Sequence, residues 1–139
     1  MEQHNIRIAR EIPDANSYAD LRKQAGLSPR SEKGIHIGLG NSLFAVTLYA
    51  GEELIGMGRV VGDGGCFFQI VDIAVRPDYQ GQGLGKAIME ELMNYLQEEA
   101  PSDAYVSLIA DQPADKLYLK YGFQYTAPES LGMYMRITK

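Results

Sequence analysis

Ile70-Val71-Asp72-Ile73-Ala74-Val75, then Arg76-Pro77-Asp78-Tyr79, then Gln80-Gly81-Gln82-Gly83-Leu84-Gly85-Lys86: an apolar run, a short linker and a glycine-rich turn follow one another directly. The run is apolar at nearly every position, as in a strand covered on both faces. Beyond the turn, Leu84, Ile88, Leu92, Tyr95 and Leu96 recur at helical spacing, with Glu90, Glu91, Asn94 and Glu98 on the opposite side. The spacing predicts a helix over 82–99. Glycines at 81, 83 and 85 clear side chains from the strand-to-helix junction, so successive amides can converge on an anion that the helix dipole also attracts. Lys86 adds a positive charge, and pyrophosphate suits such a turn. A nucleoside-triphosphate loop would need glycine in place of Gln80 and Ser or Thr in place of Ala87. A dinucleotide fingerprint would need glycine in place of Lys86 and a turn tight against its strand. A plain flexible turn is the remaining alternative.

Upstream, Ile6-Arg7-Ile8-Ala9-Arg10 alternates like a strand. Pro13-Asp14 opens a helix carrying Tyr18, Leu21 and Ala25, and Gly26 ends it. Ser31 is placed to cap a second short helix through Ile35, Ile37 and Leu39. Leu43 to Tyr49, a turn at Gly51-Glu52-Glu53, and Leu54 to Val61 form a hairpin pattern, and Cys66 to Val75 is the next strand. Downstream, Tyr105 to Ala110 reads as a strand and Pro113 to Tyr121 as a helix that Gly122 terminates. Short strands are expected near Phe123-Gln124-Tyr125 and over Gly132 to Thr138. The order β-α-α-β-β-β-α-β-α-β-β defines an α/β fold of mixed, mostly antiparallel sheet flanked by helices, as a single domain over 1–139.

The 139 residues, 45% of them hydrophobic, suffice for one core, and the net charge of −5 argues against nucleic acid or anionic membrane as partner. Met1-Glu2-Gln3-His4-Asn5-Ile6-Arg7 lacks a basic-then-apolar leader pattern, and no apolar run approaches the roughly 20 residues of a membrane span, so a cytoplasmic location is expected. One cysteine, Cys66, and two distant histidines give neither a disulfide nor a metal-ligand spacing, so no metal is expected.

The strand ending Asp72-Ile73-Ala74-Val75, the linker, and Gln80-x-x-Gly83-x-Gly85 opening an amphipathic helix together resemble the acetyl-coenzyme A motif of the GNAT superfamily of N-acetyltransferases. Ala114-Asp115-Lys116-Leu117-Tyr118-Leu119-Lys120-Tyr121-Gly122-Phe123 is similar to that family's second signature. The resemblance covers residues 66 to 126 closely, with one departure: Asp111 stands where many members carry Asn. It implies a GNAT-like fold and acetyl transfer from acetyl-coenzyme A to a primary amine of a small molecule, or of a peptide or protein. It further implies that main-chain groups of the Ile73-Ala74-Val75 segment pair with pantetheine like an added strand. The amides of Gln80, Gly81, Gln82, Gly83, Leu84, Gly85 and Lys86 would hold the pyrophosphate. A non-catalytic acyl-coenzyme A sensor is the alternative.

In that scheme a backbone N–H near Val75 stabilises the developing oxyanion. Tyr118 holds the family's position for the acid that protonates the leaving thiolate, or it is a packed core tyrosine. Asp72 interrupts an apolar strand beside the expected acetyl site; left unpaired it would be a base with raised pKa, and paired with Arg59 across the sheet it would be structural. Cys66 reads as a buried apolar filler, and His36 as surface or packing rather than a base. Alternation puts Phe67 and Phe68 on opposite sheet faces. By resemblance, the region of Arg22, Ser28, Pro29 and Arg30 covers the acceptor side. The net charge favours cationic amines by long-range attraction. Homodimerisation is expected, through the apolar stretch Met133-Tyr134-Met135-Arg136-Ile137.

Overall fold

A computed structural model describes residues 5–139, and the segment Met1 to His4, read above for a leader pattern, lies outside them. The chain forms two compact units, one ending at Ser107 and one spanning Leu108–Lys139.

The first unit is built on five strands in spatial order β1 to β5: β1 (Ile6–Ala9), β2 (Phe44–Ala50), β3 (Glu53–Gly62), β4 (Phe67–Val75) and β5 (Tyr105–Ser107). The first four run antiparallel to their neighbours, and β4 pairs with β5 in parallel. Helices α1 (Ala15–Gln24) and α2 (Glu32–Gly40) precede β2, and α3 (Leu84–Glu99) makes the crossover from β4 to β5. Both early helices start as their sequences dictate. Asp14 Oδ1 accepts from Ser17 N at 2.9 Å, and Ser31 Oγ accepts from Gly34 N at 3.0 Å, so each satisfies an amide the helix cannot.

The two sheet faces are covered by different helices. Met57 is buried with Tyr18, Leu21, Ile35 and Leu39 of α1 and α2. A side chain at its neighbour Gly58 would point the other way, its Cβ 2.7 Å from Ile88 Cγ2 and 3.1 Å from Leu92 Cδ1 of α3. Gly58 therefore lets α3 approach β3 closely, and β3 is buried on both faces from Leu54 to Val60.

The ladder between β3 and β4 contains a bulge. Met57 pairs with Ala74 and Arg59 with Val71, so Asp72 and Ile73 together oppose Gly58. Asp72 takes up the extra residue with φ of 63°, a conformation uncommon outside glycine, asparagine and aspartate.

In the second unit, α4 spans Asp115–Leu119. Gly122, at φ of 94°, closes the turn: its N–H reaches Leu119 O at 3.2 Å and Phe123 N–H reaches Tyr118 O at 3.4 Å, a Schellman arrangement. The strands expected near Phe123 to Tyr125 and over Gly132 to Thr138 are not formed, and Leu108 to Ala110 do not extend β5. Composition suited to a strand is insufficient without a ladder partner, and Gly122, Pro128 and Gly132 punctuate this segment.

Candidate active site

The glycine-rich turn has the geometry its sequence demands. After β4, Pro77–Tyr79 form one 3₁₀ turn, and Gln80 Nε2 donates back to Val75 O at 2.9 Å, tying the linker to the strand end. Gly81 and Gly83 have φ of 80° and 83°, the left-handed region that side chains disfavour. Gly83 is the N-cap of α3 and supplies no side-chain cap, while its carbonyl accepts from Ala87 N at 3.1 Å. Amides of Gly83 to Lys86 thus belong to the first turn, which has no intrahelical acceptors. A Cβ at Gly81, Gly83 or Gly85 would meet nothing within 4 Å, so the glycines leave open space above these amides. Gln82 Oε1 is buried without a hydrogen-bond partner among the described residues. Left-handed glycines, a bare helix start and clearance above it fit a pyrophosphate group.

The strand leading into the turn has a free stretch of edge. Pairing of β4 with β5 stops at Gln69 opposite Ser107, so no strand pairs with Ile70 to Val75 on that side among the described residues. Ile73, Ala74 and Val75 lie in this stretch, where an extended polar ligand can add as a strand does.

Asp72 is enclosed by charge. Its Oδ1 accepts from Arg22 Nη1, and its Oδ2 accepts from Arg59 Nε at 2.8 Å and from the Tyr18 hydroxyl at 2.6 Å. The Arg22, Arg59 and Asp72 side chains are only 6%, 11% and 9% exposed, so this is a buried ionic cluster rather than a surface pair. Arg22 is held from behind by Ser28 O, which accepts from Nε at 3.1 Å and Nη2 at 2.5 Å. Arg59 Nη1 donates to Gly38 O at 3.1 Å and Ser42 Oγ at 2.8 Å. Burial, then the bond to Asp72, raises the Tyr18 phenol above its ordinary pKa, so it stays a donor.

The premise of an unpaired Asp72 is therefore corrected, and the pairing with Arg59 across the sheet is formed. Tyr18 and Arg22 were not foreseen as its partners. The available signal was an arginine four residues after Tyr18, on a helix stripe that otherwise faces the core.

A cavity of about 270 Å³ opens beside this cluster, lined by Tyr18 of α1, by Arg59, Val61, Val71 and Asp72 of the sheet, and by Arg30, Ser31, Gly34, Ile35, Gly38 and Leu39. Val71 and Asp72 both face it although they are consecutive, which a regular strand forbids and the bulge permits. Of the segment read as covering the acceptor side, Arg30 is in the lining, while Arg22, Ser28 and Pro29 are not. His36 is exposed on α2 and is not in the lining. Cys66 is exposed, correcting its reading as a buried filler: it precedes β4 at the turn where Asp63 Oδ1 accepts from its amide at 2.9 Å. Phe68 is buried and Phe67 is exposed, as alternation requires.

Tyr118 belongs to α4 in the second unit, whereas Asp72 and the turn belong to the first. Its ring meets Phe123 edge-on at 6.5 Å between centroids. Burial, then the charge of Asp111, raises its pKa above the ordinary tyrosine value and keeps it protonated. No group of His, Cys, Asp and Glu among the described residues could hold a metal ion.

The model of the acetyltransferase (GNAT) domain family matches residues 40–125, spanning the hairpin, β4, the turn, α3 and the Tyr118 helix. The chain belongs to the GNAT acetyltransferases. A probable acetyltransferase of unknown function from meticillin-resistant Staphylococcus aureus superposes with a TM-score of 0.91 at 52% identity, over 95% of this chain and 99% of that one. The uncharacterized N-acetyltransferase ycf52 of Pyropia yezoensis is 32% identical over 74% of this chain, and the match spans 60% of its own length. The [ribosomal protein bS18]-alanine N-acetyltransferase of Escherichia coli (strain K12) is 30% identical over 81% of this chain and 76% of its own.

Proposed function

We propose that this protein transfers the acetyl group of acetyl-coenzyme A to the primary amine of a small molecule, by direct attack. The observation that carries this reading is the succession of a free strand edge and a left-handed double-glycine turn that opens α3. In this reading the Ile73 to Val75 backbone aligns the pantetheine arm, and the amides of Gln80 to Lys86 hold the pyrophosphate. The cosubstrate supplies an acetyl group activated as a thioester. A backbone N–H near Val75 faces the carbonyl oxygen as charge develops there. Tyr118 protonates the departing thiolate, a role supported by its raised pKa, which keeps the phenol protonated at neutral pH. Asp72 is better suited to hold Arg22 and Arg59 in place than to take a proton, because both of its oxygens already accept from cations. An alkylammonium acceptor loses one proton to water before it attacks, and the proton that its nitrogen sheds on forming the amide restores the Tyr118 phenol through water. A peptide or protein amine is the second choice of acceptor, favoured by the likeness to the ribosomal-protein alanine acetyltransferase.

The test is release of free coenzyme A across amino acids, polyamines, arylalkylamines, aminoglycosides and peptides, beside direct measurement of acetyl-coenzyme A binding. Binding without release from any acceptor would sink catalysis in favour of an acyl-coenzyme A sensor. Tyr118→Phe is expected to lower kcat by about 100-fold or more at saturating cosubstrate, the scale of a general acid; unchanged turnover would remove its role. The proposal also takes the protein to act in the cytoplasm, and to do so as a homodimer; the exposure of Met133, Tyr134, Met135 and Ile137 supports the dimer. Light scattering that finds only monomer would remove the dimer.

A further inference from the structure

The cavity beside Asp72 carries a charge opposite to that of the chain. The whole sequence is −5, yet the ionisable groups of the lining are two guanidiniums, Arg30 and Arg59, and one carboxylate, Asp72. Tyr18 stays neutral, and Arg22 stands behind the wall as a further cation on the same carboxylate. Two buried cations thus share one buried anion, an imbalance that favours a second negative group close by.

Donors are also left over. A guanidinium has five N–H groups. Arg59 commits four of them, Nε to Asp72, Nη1 to Gly38 O and Ser42 Oγ, and Nη2 to the Tyr18 hydroxyl at 3.4 Å. One N–H on Nη2 has no acceptor among the described residues. Arg30 uses only Nη1, toward Ser28 Oγ at 2.9 Å and Pro29 O at 3.1 Å, and forms no ion pair among the described residues.

We propose that this cavity is the acceptor subsite for a small primary amine that also carries a carboxylate or phosphate, with Arg30 and Arg59 binding that anionic group. The proposal rests on the transferase reading and names its substrate class. Val75 lies three residues past Asp72, at most roughly 10 Å along a strand that the bulge shortens, which limits the separation of anion from amine to that of a compact molecule. The volume of about 270 Å³, at the small end for ligand pockets, agrees.

The experiment compares matched pairs at saturating acetyl-coenzyme A, so that the pyrophosphate turn is filled: amino acids against their amides, and aminohexose phosphates against aminohexoses. Whichever anion is used, kcat/KM for the acidic member should exceed its neutral partner by about tenfold or more. The ratio should fall toward one in Arg30→Gln and persist in Lys33→Gln, which removes a cation outside the lining. A preference within the first pair only names a carboxylate; within the second only, a phosphate. Ratios at or below one, or turnover confined to peptides without an acidic group, would overturn the proposal and leave the transferase reading standing. If no pair is turned over, thermal shift decides: stabilisation by the acidic members alone, lost in Arg30→Gln, upholds the anion site while the transferase reading fails. Stabilisation by none overturns it.

Discussion

The glycine turn and the Asp72 cluster sit at adjacent points of one chain and are built on opposite principles. The turn uses contiguous residues, from Gln80 to Lys86, and offers mainly backbone groups made accessible by missing side chains. The cluster draws Tyr18 and Arg22 from α1, Arg59 from β3 and Asp72 from β4, and offers side-chain charge that only the folded sheet assembles. A local device suits a group that is always the same, whereas a device assembled over long range changes with any of the elements that feed it. The difference predicts that damage to the cluster appears as lost stability and damage to the turn as lost affinity.

The largest effect should come from Asp72→Ala, which strands two buried guanidiniums. Urea denaturation should show a loss of about 3–5 kcal/mol, and a loss below about 1 kcal/mol would mean the cluster is too hydrated to count as buried. Gly58→Ala follows, because its Cβ would meet the branched Ile88 side chain at 2.7 Å. Overpacking of α3 on β3 should cost about 1–3 kcal/mol by the same measurement; a neutral result would show that α3 can shift freely. Gly83→Ala reverses the pattern. It imposes a left-handed alanine at about 1 kcal/mol, while its Cβ enters the space above the amides, so calorimetry should find acetyl-coenzyme A bound about tenfold more weakly or worse. Equal affinity would break the comparison, since the turn would then not be the anchor.

Asp20→Asn should be the smallest. Its carboxylate accepts from Arg76 Nη2 at 2.5 Å, but its side chain is 52% exposed, so stability should change by less than about 1 kcal/mol. The bond to Arg76 lowers the Asp20 pKa, so this contribution is present above the ordinary carboxylate pKa and disappears as pH falls through the depressed value. Thermal melts of the two proteins should therefore converge in acid; divergence there would give Asp20 another role.

The same contrast explains what could be read from the sequence. Helix α3, the hairpin, the helix start at Pro13-Asp14, the cap at Ser31 and the turn itself are encoded by residues close together, and the structure reproduces them. The pairing of Asp72 with Arg59 was foreseeable because antiparallel neighbours bring those residues together. Arg22 was marked only as a charge on the core-facing stripe of α1; that it meets Asp72 depends on the angle at which α1 crosses the sheet, which no local pattern records. The expected strands after Tyr121 failed for a related reason: Tyr134 and Ile137 have strand character, but a strand also needs a partner.

The bulge at Asp72 has a consequence for mutational tolerance. One additional residue in β4 changes which positions are odd and which are even, so Val71 and Asp72 share a wall and Ala74 still reaches the core beneath α1. Many substitutions between Val71 and Ala74 preserve that parity, and a single-residue deletion does not. Removing one residue would straighten the strand and turn either Val71 or the carboxylate to the face occupied by α3. The lining of the cavity can therefore be changed one side chain at a time, provided that the number of residues between Gln69 and Val75 is kept.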